Sequence, residues 1–258
     1  MAHANFLLIE TTAVFIALAA LILYPVAMHI SNGKHRKWPF HRYIFWFAGV
    51  ILAALTLTGP LAQLSHTDFT AHMMGHLLLG MLAPLILVFS KPMTLLMRTL
   101  KVPAARKLSR LLNSRYARLV TNPIVAAILN IGGLFLIYLT GLFTLMHTSA
   151  WLYALVHLHV FLAGYLFTIS LIYIDITTHR YNFMYRAIVL ILVLGFHKVL
   201  SKLIYAAPPD GISKGAGESG ALLMYYGGDV VDLGLIVILC WQCYQAHTPK
   251  TQKTAGPV

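Results

Sequence analysis

Seven stretches of this 258-residue chain are apolar and long enough to cross the roughly 30 Å hydrocarbon core of a bilayer as helices. They run approximately over 6–28, 43–63, 70–89, 122–143, 150–175, 184–205 and 220–244. In lipid every backbone polar group has to be satisfied within the chain, so open sheets and bare loops are excluded and spans of this length dictate helices. The expected fold class is all-α, a polytopic membrane bundle of seven transmembrane helices occupying residues 1–244. A composition of 59% hydrophobic and 10% charged residues fits neither a soluble globule nor a disordered chain.

Charge orients the bundle. Lys34, Arg36, Lys37 and Arg42 follow the first segment, and eight Lys and Arg residues between Lys91 and Arg118 follow the third. Arg180 and Arg186 follow the fifth, and Lys250 and Lys253 lie near the end of the sequence. These sixteen of nineteen cations share one side, which the positive-inside rule makes cytoplasmic. The N-terminus is then expected outside and the C-terminus in the cytoplasm. The leader MAHANFLLIE has no basic n-region, so the first segment reads as a retained helix and not a cleaved signal. The net charge of +12 speaks of topology and anionic lipid, and nucleic acid is discounted. Loops at 59–69, 144–149 and 206–219 are expected to face out. Between 91 and 121, leucines alternate with cations, and Pro103 is expected to divide the stretch into two short amphipathic helices on the inner surface. Residues 245–258 read as a flexible cytoplasmic tail.

Eight of the thirteen histidines fall at the outer end of these segments, and five of them lie inside or at the mouth of a span. An ionisable ring at membrane depth needs a partner, so the cluster reads as a functional site, best explained by a metal. His72 and His76 are spaced i, i+4 and project from one helix face, with His76 about 10 Å in. His157 and His159 lie at similar depth but about 200° apart, so only one of them, His157 by preference, can face a compact site. His197 on the sixth span reaches the same layer from the other direction. Asp229 and Asp232 on the seventh span, opposite Lys198 and Lys202 on the sixth, are either a structural ion pair or a carboxylate serving the metal, with Asp229 the preferred participant. Met73, Met74 and Met81 on the third span, Met146 beside His147, and Met224 add soft sulfur, which favours copper, especially Cu(I), over zinc. Cys240 and Cys243 form a lone CxxC at the reducing end and read as packing residues.

The stretches HTDFTAHMMGHLLLGMLAPLILVFSKPMTLLMR (66–98) and HLHVFLAGYLFTISLIYIDITTHR (157–180), with Phe196 and His197, resemble the seven-helix CtaG family of cytochrome c oxidase assembly factors. The resemblance covers the third to the sixth helix. It implies a bacterial plasma-membrane protein that helps copper reach the catalytic subunit of a haem-copper oxidase, drawing on an extracytoplasmic copper donor. The family's histidine pattern maps onto His72, His76, His157, His159 and His197. In the seventh helix GDVVDLGL keeps Asp229 and Gly234 of a DQQLGG-like pattern, has Val230 and Val231 in place of both glutamines, and adds Asp232. On this reading His66 and Met146 capture the ion from outside, the deeper histidines hold it, and Met73 and Asp232 are accessory. The alternatives are a b-type haem protein, which histidines clustered in one layer limit to one haem, and a copper permease, for which the cytoplasmic half lacks a polar relay. Residues 221–244 contain no lysine for a retinal Schiff base. No nucleophile with its base, phosphate loop or paired carboxylates marks a catalytic centre, so no enzyme is expected.

Overall fold

The computed structural model describes residues 2–177 and 179–247. Among them the structure is all-helical, with no strand. The helices are α1 (Ala2–Lys34), α2 (Phe40–Leu57), α3 (Gly59–Ser65), α4 (Phe69–Phe89), α5 (Pro92–Thr99), α6 (Val102–Leu112), α7 (Arg115–Val120), α8 (Pro123–Leu139), α9 (Leu142–Thr148), α10 (Ala150–Leu171), α11 (Phe183–Ala206) and α12 (Lys214–His247). Six are long and apolar enough to cross a membrane, or seven spans if α8 and α9 count as one.

The fourth expected span differs from the straight helix read from sequence. It bends by 80° between α8 and α9, so residues expected to form an outer loop instead fold back as a helix. Thr140 makes the elbow: its hydroxyl donates to the Leu136 carbonyl at 2.6 Å and accepts from the Leu142 amide at 3.2 Å. One side chain thus satisfies groups on both sides of the break. The loop expected at 59–69 likewise contains a helix, α3. The stretch 91–121 folds as three helices and not two. Pro103 lies in the first turn of α6, where its missing N–H is no loss, and the break falls before it at the extended Leu100 and Lys101. α12 runs on to His247, so the tail expected from Gln245 begins inside a helix, and its remainder lies outside the described residues.

The core sits among α4, α8, α9, α10, α11 and α12, with Met73, Met146, Leu200, Ile204 and Met224 fully buried. α1 is peripheral, held by Trp46 Nε1 donating to the Ala20 carbonyl at 2.9 Å and by Tyr24 Oη donating to the Ser90 carbonyl at 2.5 Å. At the basic end Asp175 accepts from the Met93 and Thr94 amides at 2.7 and 2.9 Å and from the Thr94 hydroxyl, capping α5 from a connection 81 residues away. Arg186 is buried there. Its Nη1 donates to the Leu171 carbonyl at 2.5 Å and to Gln242 Oε1 at 3.1 Å, tying α10 to α12.

Two spans carry a π-helical turn, Leu78–Leu82 in α4 and Ile128–Gly132 in α8. In α4 the cause is legible: Pro84 has no N–H to offer the carbonyl four residues back, which belongs to Gly80, and its ring pushes that carbonyl aside. The displaced carbonyl lies against Gly164 of α10 so closely that a Cβ there would be 1.9 Å from the oxygen. Glycine is required at Gly164 by that approach. The contact sets α4 and α10 side by side with His72 opposite His157.

Candidate functional site

The histidine-bearing ends of α4, α9, α10 and α11 place six imidazoles in a column. At its top His66, at the α3–α4 junction, faces His147 of α9, with ring centroids 5.8 Å apart. His147 lies 5.7 Å from His72, and His72 lies 6.4 Å from His157. Tyr138 of α8 continues the line: its hydroxyl is 3.1 Å from His72 Nε2, and its ring is 6.3 Å from His76. His76 faces His197 of α11 at 6.2 Å. The rings therefore form a connected series from His66 through His147 and His72 to His157, with Tyr138 joining His72 to the His76–His197 pair.

Local hydrogen bonds decide which nitrogens are free. His147 Nδ1 is 2.8 Å from the Phe143 carbonyl, and His157 Nδ1 is 2.8 Å from the Tyr153 carbonyl. A carbonyl can only accept, so both Nδ1 atoms donate, and in the neutral ring Nε2 is then the nitrogen with the lone pair. His76 is different. Both its ring nitrogens are buried with no hydrogen-bond partner among the described residues, and so is His197 Nε2. Buried polar atoms are otherwise almost always paired, and leaving one bare costs about 1–3 kcal/mol. Gly228 of α12 seats the His197 ring, since a Cβ there would be 2.6 Å from its Cε1.

His66 is the member that lies outside the spans. Burial first, and the nearby His147 second, hold its pKa below the ordinary 6.5, with Glu10 opposing. Its ring also borders a groove of about 440 Å³ lined by Phe6, Glu10, Gln63 and Tyr153, which opens the top of the column to the exterior.

Several expected site residues lie elsewhere. His159 points away from the column: its Nε2–H donates to the Leu129 carbonyl at 3.0 Å, inside the π-helical turn of α8. A Cβ on Gly133 would be 2.5 Å from that Nε2, so the ring fills a gap only glycine leaves. Met146, expected to face outward and capture an ion, is fully buried in the core, because the α9 fold-back turns its face inward and presents His147 instead. Met73 is likewise fully buried in packing. Asp229, preferred over Asp232, stands at the exterior and receives Lys198 Nζ at 2.5 Å, the ion pair that was the competing reading. Asp232, not Asp229, is the buried carboxylate; it lines a cavity of about 20 Å³ with His197, Asn130 and Thr168. Among the described residues no three His, Cys, Asp or Glu side chains converge closely enough to hold one ion together. Sequence reasoning missed His147 and Tyr138. The i, i+4 spacing of Phe143 and His147 was the available signal for a helical, inward-facing segment.

A helical membrane bundle with a column of histidines at one end is the class that fold and site define. Residues 22–246 match the family model described as cytochrome c oxidase caa3 assembly factor (Caa3_CtaG), and the chain belongs to that family. It is 30% identical over 181 residues to an uncharacterized protein of Mycobacterium bovis and, equally, to one of Mycobacterium tuberculosis. A Mycobacterium leprae protein, also uncharacterized, is 29% identical over 167 residues. These matches cover 67% and 62% of this chain but only 27% and 25% of the relatives, so the chain spans about a quarter of their length. No solved structure matches it.

Proposed function

We propose that this chain carries copper, as Cu(I), toward the catalytic subunit of a haem-copper oxidase, and that His76 and His197 hold the ion. The observation that carries this reading is the set of bare nitrogens on those two facing rings. Two imidazoles bound end-on to one ion at about 2 Å each place their centroids about 6 Å apart, and the observed separation is 6.2 Å. A two-coordinate nitrogen site suits Cu(I), whereas zinc asks for a tetrahedral set. The cavity beside His197, about 20 Å³, is the size of a single water, which favours a small ion over a porphyrin.

The rest of the column supplies a path. Copper delivered from outside meets His66 beside the Glu10 groove, passes His147, His72 and His157, and reaches His76. At each step one imidazole lone pair replaces another on the same ion, with no change of oxidation state. A pair with only two ligands leaves the coordination sphere open, so the ion can leave for stronger ligands in the oxidase. The role is one of delivery and involves no catalytic turnover.

The test is metal analysis of detergent-purified protein loaded anaerobically with Cu(I). Near-stoichiometric copper in wild type and in His159→Ala, with loss in His76→Ala and His197→Ala, is the expected pattern. Copper retained by both of the latter variants refutes the site.

A further inference from the structure

A polar seam runs up the exterior of α11 and α12. Lys198 reaches Asp229 at 2.5 Å and lies 3.9 Å from the Tyr225 ring centroid. The two charged side chains keep 32% and 44% of their surface exposed, so the described residues leave the pair partly uncovered. Lys198 is eight residues inside the end of α11, about 12 Å along the axis. Charged groups at such depth almost always face a protein interior or a water-filled cavity, and not lipid tails. Lys202, one turn toward the end on the same face, is exposed and forms no ion pair among the described residues. Tyr226 and Val230, 64% and 73% exposed, flank the seam, and Gly195 of α11 has no atom near its missing Cβ. The result is an apolar, lightly notched surface around a charged centre whose sum is one positive charge.

We propose that this face is a docking surface for a transmembrane helix of another protein, one that carries a carboxylate at the depth of Lys202. The partner's acid pairs with the free ammonium group, its helix covers the Lys198–Asp229 pair, and its small or apolar side chains lie against Gly195, Tyr226 and Val230. Interhelical polar contacts of this kind contribute modestly but decide which helix binds and in what register. A second copy of this chain is a poorer occupant, because a two-fold axis through the seam would bring the Lys202 side chains of both copies together. The inference does not depend on copper.

The experiment uses full-length protein, donor-labelled in vesicles, with acceptor-labelled polyleucine helices bearing a single Glu, Gln or Lys at the depth of Lys202. Association is read as energy transfer. Wild type should take the Glu helix about threefold more tightly than the Gln helix. Lys202→Gln should erase that preference, and Lys202→Glu should transfer it to the Lys helix. Unfolding midpoints of both variants, expected to match wild type because Lys202 is exposed, confirm that the comparison reads docking. Equal binding of Glu and Gln helices by wild type, or a preference that survives Lys202→Gln, overturns the proposal. So does energy transfer between two labelled copies of the chain that Lys202→Gln abolishes and the Glu helix competes away, since a second copy then occupies the seam.

Discussion

Replacing Gly164 by alanine tests whether the close passage of α4 and α10 is what holds the column together. The added Cβ would stand 1.9 Å from the Gly80 carbonyl oxygen and 2.9 Å from its carbon. The ordinary limit for a carbon–oxygen approach is about 3.3 Å, so roughly 1.4 Å has to be found. Both opposing atoms are backbone, in a turn already distorted by Pro84, and no side chain can swing aside. Overpacking of this kind costs about 1–3 kcal/mol, against a helix-propensity gain of up to about 1 kcal/mol for replacing glycine. A net loss of about 1 kcal/mol, rising to about 2 kcal/mol if the backbone cannot yield, is therefore expected. Gly195→Ala is the matched control: it is also a helix-interior glycine, but no heavy atom beyond its chain neighbours and its own helix backbone lies within 4 Å of the added carbon. It should unfold with wild type or slightly later. SDS titration of purified protein, followed by far-ultraviolet circular dichroism, reads all three. Gly164→Ala unfolding no earlier than wild type, or Gly195→Ala losing as much, would refute the reasoning.

Three further outcomes are expected. Gly228→Ala brings a Cβ to 2.6 Å from His197 Cε1, so the ring must turn; bound copper should fall as in His197→Ala, while the SDS midpoint moves less than in Gly164→Ala. His159→Ala removes one interhelical hydrogen bond and should lower stability by about 0.6 kcal/mol, at most about 1.7, with copper unchanged; metal analysis and SDS titration of the same preparation check both halves. His66 titrates below 6.5 in the fold, by burial first and His147 second, so the unfolded chain binds the proton more tightly and folding stability drops as pH falls through 6.5 toward the folded value. The SDS midpoint of His66→Gln should fall less than that of wild type between about pH 7.5 and about pH 5.5.

The helical class and most span boundaries were legible because hydrophobic length is a local property of the sequence. The family was legible for a related reason, since the stretches around His72 and His157 keep composition and order together. Azimuth was partly legible: the wide angle between His157 and His159 predicted that one would turn away, and His159 does. Three features were not. The elbow at Thr140 depends on one hydroxyl bonding both ways, and no apolar pattern records it. Asp229 and Asp232 differ in burial because α12 turns Asp232 inward to the cavity beside His197 and leaves Asp229 on the exterior with Lys198, which spacing alone does not reveal. Arg186 counts as a cytoplasmic cation by charge bias, yet it is buried as a clasp between α10 and α12. In the last two cases the deciding partner lies on another helix.

The two π-helical turns connect these observations. A regular α-helix satisfies its own carbonyls and presents a smooth cylinder to its neighbours. Pro84 denies Gly80 its usual partner, and the carbonyl that results presses against Gly164. In α8, the turn at Ile128–Gly132 offers the Leu129 carbonyl to His159 and leaves room at Gly133 for the ring. α10 is thus fixed on both sides, by Gly164 toward α4 and by His159 toward α8, and His157 has one azimuth left, toward His72. The histidine that departs from the column is what orients the one that joins it. Under the copper reading the two histidines have different roles, and a survey of substitutions scored only by oxidase assembly would not separate them. Metal content set against SDS midpoint does: a ligand variant loses copper at constant stability, and a positioning variant loses stability first.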